Sequence, residues 1–479
     1  MIGWSVGLTG DEAHYALYAA HPALSYYDHP PLVGWSQWPL VQLGVSDGTL
    51  RLLPNALWLA TALLIYHIAI RLHLRSAPLS DPSQITSSGS WALLAFCLAP
   101  LPHVLGLGLL PDTLLMFFTA ALMLQTLRLL EPVHASELRQ WLLLGVLLGL
   151  AGLAKYTALF AAIPVAVCLL LAHGARLLRH YYAPWLAMFL AMVMVLPVFL
   201  WNASNHWISF SYQLQHGAGS HWQVSHLATF MLVQLMLYPL LLWGALAAIR
   251  QIRIIEQAAR WLTTFALLPF GVLAYLSGGG SSLPHWTAPA WVALAPFAGL
   301  GLSRLWAGGQ RWLIWLLAGL QATFSLGLFL LILSAGPTQL RSDDRQPETF
   351  NPFTDFYGWD RAGQHALALA KKTGETRLVV QNWTLASRLA WYARPLPVHV
   401  IAPGFDQFSI WSGPLASGAN ALLLDWSQMA YQQPVGSGQF ERCEKLDTLK
   451  VERAGRPIAH FSFYLCTNWG GQPQPRRSG

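Results

Sequence analysis

Trp312-Leu-Ile-Trp-Leu-Leu-Ala-Gly-Leu-Gln-Ala-Thr-Phe-Ser-Leu-Gly-Leu-Phe-Leu-Leu-Ile-Leu-Ser334 contains no charged residue. A helix crossing the hydrocarbon core of a bilayer needs about 20 such residues. Working back from this stretch, about nine further apolar runs are legible, near 52–70, 91–110, 113–127, 141–154, 157–172, 184–201, 227–249, 262–276 and 287–302. The whole chain is 54% hydrophobic and only 10% charged, against about 25% charged in a soluble domain. The expected fold is mainly α: a polytopic transmembrane helical bundle. Beyond 334 the character changes. Charge rises and the long apolar runs stop, which predicts a small α/β domain within 335–471, with strands near 377–381, 398–401 and 421–424 and a helix over 384–392. The tail 472–479 reads as disordered.

Basic residues report orientation, because cytoplasmic connections are enriched in Lys and Arg. Placing residues 1–50 outside puts Arg71, Arg75, Arg128, Arg139, Arg176, Arg179, Arg250, Arg253, Arg260, Arg304 and Arg311 inside. Only Arg51 and Lys155 then remain in the outside regions before 335. The loops at 202–226 and 277–286, and everything after 335, fall outside on the same reading. The net charge of +7 is spread singly and in pairs between spans, so it argues for membrane topology and against a nucleic-acid patch. Cys443 and Cys466 lie in the outside domain, flanked by strand-like segments 440–444 and 460–467, and are expected to form a disulfide; two free buried thiols are the alternative. Cys97 and Cys168 fall within spans and read as packing residues.

Acids are scarce in the membrane part, and three cluster in the first loop. It reads Gly10-Asp11-Glu12-Ala13-His14-Tyr15, then Tyr26-Tyr27-Asp28-His29-Pro30-Pro31-Leu32. Thr9-Gly10-Asp11-Glu12 also has the form of a helix start, where acids suit the dipole. The paired prolines hold Asp28 and His29 on a stiff backbone, and a carboxylate at a membrane face can take a proton from an incoming hydroxyl. Asp11, Glu12 and Asp112 are the catalytic candidates, with Asp112 alternatively capping its span. Tyr15, Tyr27, Asp28, His29, Lys155 and His285 are the substrate-binding candidates. Lys155 could instead snorkel to the interface, and His285 could be an ordinary interfacial histidine. Asp11, Glu12, Asp28 and His29 could also hold a divalent metal. His206, His216, His221 and His226 share one loop but fit no tight metal motif. Gly278-Gly279-Gly280-Ser281-Ser282 lacks the Lys of a phosphate loop.

The order of these motifs resembles the C-type membrane glycosyltransferases, in their protein O-mannosyltransferase-like branch (glycosyltransferase family 39), and more distantly the lipid A aminoarabinose transferases. Leu110-Pro111-Asp112, Gly149-Leu-Ala-Gly-Leu-Ala-Lys155-Tyr156-Thr157, Pro197-Val-Phe-Leu-Trp201-Asn202 and Leu283-Pro284-His285-Trp286 carry the resemblance with the first loop. It implies an inverting enzyme of the bacterial inner membrane, with its C-terminal domain periplasmic. The donor would be a polyprenyl-phosphate-linked sugar and the acceptor a hydroxyl of a lipid or a protein. It implies Asp11 as base, Asp112 as the second loop acid, and Lys155, His29 and His285 at the lipid phosphate. His29 stands where the aminoarabinose branch has Lys, which argues against that donor sugar. The family has a spanning helix ahead of the first loop, whereas only about seven residues precede the acidic motif here; a truncated start is the expectation. A polytopic transporter or lipid flippase, or a non-catalytic relative, are the competing readings. Transporters place charges within spans, whereas here the acids gather at one face.

Overall fold

The computed structural model describes residues 2–77, 79–174, 177, 182–218, 221–250, 256–280, 282–336, 351–429 and 439–471. The tail 472–479 and Arg176, Arg179 and Arg253 of the charge pattern lie outside the described residues.

Each of the ten apolar runs coincides with a helix or a bent helix pair. Seven helices are long and apolar enough to cross a membrane: Asp47–Ser76, Pro111–Leu129, Tyr156–His173, Ala183–Ser204, Ala259–Ser277, Pro284–Ala307 and Arg311–Ser334. Leu138–Ala154 is a shorter apolar helix. The runs near 91–110 and 227–249 are broken. Pro82–Leu98 turns by 70° into Pro100–Leu107, and Val224–Leu237 turns by 93° into Pro239–Ile249. Both breaks fall at a proline, which lacks the N–H that would continue the ladder and whose ring crowds the preceding turn. The chain is a multi-pass membrane protein.

Two compact units divide the chain: Ala23–Val33 with Arg51–Leu326, and Met1–Pro22 with Gly34–Leu50 and Gly327–Gly479. The first is the helical bundle. Its most enclosed helices are Pro111–Leu129 and Pro284–Ala307, with 78% and 72% of their apolar windows buried, against 17% for Ala183–Ser204. Small residues let the helices approach where no hydrophobic force drives them together in lipid. A Cβ on Gly301 would collide with the Gly244 carbonyl, and one on Gly299 with that of Ser88.

The second unit is built on a five-stranded sheet of order β2-β1-β3-β5-β4. Strands β1 (Leu378–Val380), β2 (Val398–Val400) and β3 (Ala421–Trp426) run parallel, while β4 (Phe440–Arg453) and β5 (Arg456–Trp469) form an antiparallel hairpin joined to β3. The hairpin turns at Ala454 and Gly455, both with positive φ (50° and 74°), as a tight turn matched to strand twist requires. Its register sets Cys443 opposite Cys466, and a disulfide joins them. Trp359, Trp426, Phe461 and Phe463 form the core together with Leu389, and Val6, Leu8, Ala13 and Leu17 from the chain start share it. The N-terminal segments outside 23–33 therefore fold with the C-terminal domain.

Candidate active site

In the bundle, the chain ends of three helices meet. Asp112 sits in the first turn of Pro111–Leu129, where the helix dipole favours an anion. Lys155 ends Leu138–Ala154, where it favours a cation. The two helices are antiparallel neighbours, so these ends share one side. Lys155 Nζ donates to both Asp112 oxygens, at 2.6 and 2.7 Å. Both side chains are buried, at 7% and 4% exposure. His285, at the start of Pro284–Ala307, brings Nε2 to 3.7 Å from Asp112, and His29 is a further electrostatic neighbour of that carboxylate. The Trp286 ring lies 5.7 Å from Lys155 Nζ. An ammonium has three donors. Two of them reach Asp112. Lys155 is thus buried in an ion pair with Asp112.

A small apolar pocket in the bundle is lined by Leu115, Thr119, Thr157, Phe160, Phe265 and Trp286, among others; Leu115 and Thr119 share the helix of Asp112, and Trp286 follows His285.

Tyr26, Tyr27 and Asp28 are held on the helix Ile208–Ala218, part of the loop at 202–226. Ser209 Oγ donates to the Tyr26 carbonyl at 2.9 Å, Gln213 Nε2 donates to that of Asp28 at 2.5 Å, and Tyr27 packs on Tyr212 at 4.6 Å. Burial, together with Asp28 and Tyr27, holds the Tyr212 phenol well above its usual range.

Asp11, Glu12 and Tyr15 belong to the other unit. They lie on the helix Gly10–Ala20, whose start is a capping box: the Thr9 hydroxyl accepts from Glu12 N at 3.3 Å, and Glu12 Oε2 accepts from Thr9 N at 3.0 Å. This arrangement satisfies otherwise orphaned backbone donors. Glu12 thus caps the start of the helix that carries Asp11. Tyr15 is buried beside His14 and Tyr18. His14 Nδ1 donates to Ser387 Oγ at 2.9 Å, because the Ser387 hydroxyl spends its own proton on the Trp383 carbonyl.

Two charged residues near the start of that helix escaped the sequence reading: Asp355, in the short 3-10 helix Pro352–Phe356, and Arg388, in the helix Trp383–Tyr392. They form an ion pair, and Asp355 Oδ2 also accepts from Gly10 N at 3.4 Å. Burial pushes the Arg388 guanidinium down to about 9, with the Asp11 carboxylate acting against that shift. Arg388 remains a cation at neutral pH. Its signal in the sequence is that it is the one charged residue in 384–392. Among the described residues no three His, Cys, Asp or Glu side chains converge as a metal site.

Residues 28–201 match the family described as dolichyl-phosphate-mannose-protein mannosyltransferase. The chain is similar to membrane glycosyltransferases over that stretch, and to lipid A transferases over most of its length. In particular, it is 23% identical over 410 residues to the lipid A galacturonosyltransferase RgtD of Rhizobium johnstonii (strain DSM 114642 / LMG 32736 / 3841), covering 82% of this chain and 79% of that one. Its fold matches crystal structures of ArnT from Cupriavidus metallidurans: the apo state at TM-score 0.61 and 14% identity, and the form bound to undecaprenyl phosphate at 0.59 and 16%. Each comparison covers 96% of this chain and 95% of the other.

Proposed function

We propose that this glycosyltransferase moves a sugar from a polyprenyl-phosphate carrier to a hydroxyl of lipid A or a related glycolipid, with inversion, at the periplasmic face of the inner membrane. The observation that carries this reading is the buried Lys155–Asp112 pair with His285 beside it. A buried lysine ammonium at a helix end suits a lipid phosphate as its counter-charge. The arginine pattern favours the outer face. A lipid acceptor is favoured by the lipid A substrate named for the Rhizobium relative, and the carrier by the undecaprenyl phosphate held in the ArnT structure.

In the reaction, the acceptor oxygen attacks the anomeric carbon opposite the phosphate. Its proton passes to the Asp11 carboxylate. The bond from the anomeric carbon to the phosphate oxygen breaks, and that oxygen keeps the electron pair. Lys155 neutralises the charge that develops on the departing polyprenyl phosphate, as preorganised donors do at a leaving group. His29 and His285 add donors beside it. Attack from the far side of the leaving group inverts the anomeric configuration.

Mass spectrometry of lipid A and membrane glycolipids from deletion and complemented strains tests the reading. A sugar-sized mass loss is expected in the deletion strain, restored by the wild-type chain and not by equally expressed Asp11→Asn. Unchanged lipids with altered glycoproteins would move the acceptor to protein. Full complementation by Asp11→Asn would remove Asp11 as the base.

A further inference from the structure

The histidine-rich loop at 202–226 and the glycine-rich loop after the helix Ala259–Ser277 have no part in the transfer chemistry above, yet the bundle brings them together. Trp222 Nε1 donates to the Tyr275 carbonyl at 2.9 Å, and Gln223 N donates to that of Gly278 at 2.8 Å. His226 Nδ1 donates to the same Gly278 carbonyl at 3.1 Å. Gly280 has a φ of +83°, and a Cβ on it would stand 3.0 Å from His226 Nδ1. Glycine alone combines that backbone with so close an approach to the ring. His226 and Gly280 also line a cavity of about 210 Å³.

The wall of this cavity has two kinds of surface. Phe230 and Val233, on the helix Val224–Leu237, and Pro284 are apolar, while His226, Thr229, Ser277 and Ser282 are polar. A carbonyl only accepts, so His226 Nδ1 carries its proton and Nε2 of the neutral ring is an acceptor. Ser282 Oγ is buried and has no hydrogen-bond partner among the described residues, although a buried hydroxyl left so is costly. Ser277 Oγ donates to the Ala274 carbonyl at 2.6 Å and keeps its lone pairs. An acceptor and an unspent hydroxyl beside an aromatic face complement a sugar ring, which carries hydroxyls round its edge and C–H groups on its faces. The volume lies below the roughly 300–1,000 Å³ of pockets that take drug-sized ligands, so it suits one ring and not an oligosaccharide. Among the described residues no Asp, Glu, Lys or Arg lines the cavity. The carboxylate of a uronic acid would be unpaired there, so the ring it suits is uncharged.

Its position connects it to the Lys155–Asp112 cluster. Gln234, the residue after Val233, is buried. Its Oε1 accepts from Thr287 Oγ1 and from Trp291 Nε1, both at 2.8 Å, and its Nε2 donates to the Pro284 carbonyl at 3.4 Å. This fixes the Pro284–Thr287 turn to the helix that carries His226 and Phe230. The residue after Pro284 is His285, 3.7 Å from Asp112. We propose that the cavity is a subsite for an uncharged pyranose ring of a transfer substrate, with His226 and Ser282 binding its hydroxyls and Phe230 covering its apolar face. The inference rests on the glycosyl-transfer reading and adds to it the residues that select the sugar. The ring could belong to the donor or to a glycolipid acceptor, and competition separates the two.

Saturation-transfer difference NMR on the full-length protein, in a detergent without a sugar headgroup, tests this with the methyl glycosides of glucose, mannose, galactose and galacturonic acid as probes. At least one neutral glycoside is expected to bind saturably at millimolar concentration, and the galacturonide is not. Thr229→Trp, at an exposed position of the wall, is expected to block the cavity and abolish binding. Ser282→Ala is expected to weaken it about three- to tenfold, as the loss of one hydrogen bond does. No saturable binding by any neutral probe overturns the inference, as does equal binding of the galacturonide. Binding unchanged in both variants places the sugar elsewhere and also overturns it; if Thr229→Trp does not fold, Ser282→Ala decides alone. Displacement of the probe by an undecaprenyl-phosphate-linked hexose marks the donor's ring, displacement by lipid A marks the acceptor's, and displacement by neither overturns the assignment to a substrate. The binding assay needs no turnover. A cavity that binds no sugar therefore leaves the lipid analysis of the deletion strain standing, and unchanged lipids in that strain leave the binding result standing.

Discussion

Lys155 and Asp112 are charges that the bundle cannot leave single. A buried ion pair broken at one partner leaves the other charge uncompensated, at a cost of about 3–5 kcal/mol, whereas replacing both can be neutral. Lys155→Met and Asp112→Asn are each expected to lower the thermal unfolding midpoint in detergent, and Lys155→Met/Asp112→Leu to recover most of it. Recovery of stability without recovery of lipid A modification would mark Lys155 as a ligand for the leaving phosphate. A double variant that regains both properties would reduce the pair to scaffolding. Each residue is visible in the sequence as a charge at the edge of an apolar run. Their pairing is not, because they stand 43 positions apart on separate helices, and either alone has an ordinary explanation.

Among the elements, the helices are legible because apolar length is a strong signal, and all ten runs coincide with helices. What the runs near 91–110 and 227–249 do not reveal is their bends, since proline is tolerated inside several other helices here, among them Pro164, Pro197 and Pro269. Whether a proline bends a helix sharply depends on what neighbouring helices supply to the freed backbone groups. Close approach is likewise decided by partners. The Gly244–Gly301 contact joins Pro239–Ile249 to Pro284–Ala307, the enclosed helix bearing His285. Gly301→Val is expected to destabilise the purified protein by about 1–3 kcal/mol through overpacking, read as a lower unfolding midpoint. Gly319→Val, whose Cβ meets nothing within 4 Å, is expected to leave that midpoint in place. Equal midpoints for the two variants would refute the packing argument. In the C-terminal domain, alternating and continuous apolar patterns locate the three parallel strands. The helix Trp359–Thr373 and the full 14-residue reach of β4 and β5 escape that reading, because their exposed positions dilute the pattern.

At the scale of the whole molecule, the chain start and the C-terminal domain share a core. Val6, Leu8, Ala13 and Leu17 pack in one cluster with Trp359, Leu389 and Phe461. A separate fragment 351–471 would expose that face to water. It is expected to bind a hydrophobic dye and to melt without a cooperative transition by circular dichroism, despite its disulfide. A sharp, cooperative melt with no dye binding would show that the sheet domain needs no N-terminal partner. Apolar surface has no sequence address, so composition alone draws a boundary near 335 that the folded core does not respect.

The sequence by itself determined the multi-pass helical class, the ten apolar runs, the arginine asymmetry and the candidate acids of the first loop. These depend on composition and local pattern, which the chain carries residue by residue. Tertiary structure alone decided that Lys155 answers Asp112, that Glu12 closes a helix, and that Arg388 and Asp355 stand over the start of the acidic helix, with Asp355 345 positions from Gly10. Charge interactions fall off over a few ångströms in space, and distance along the chain says almost nothing about them.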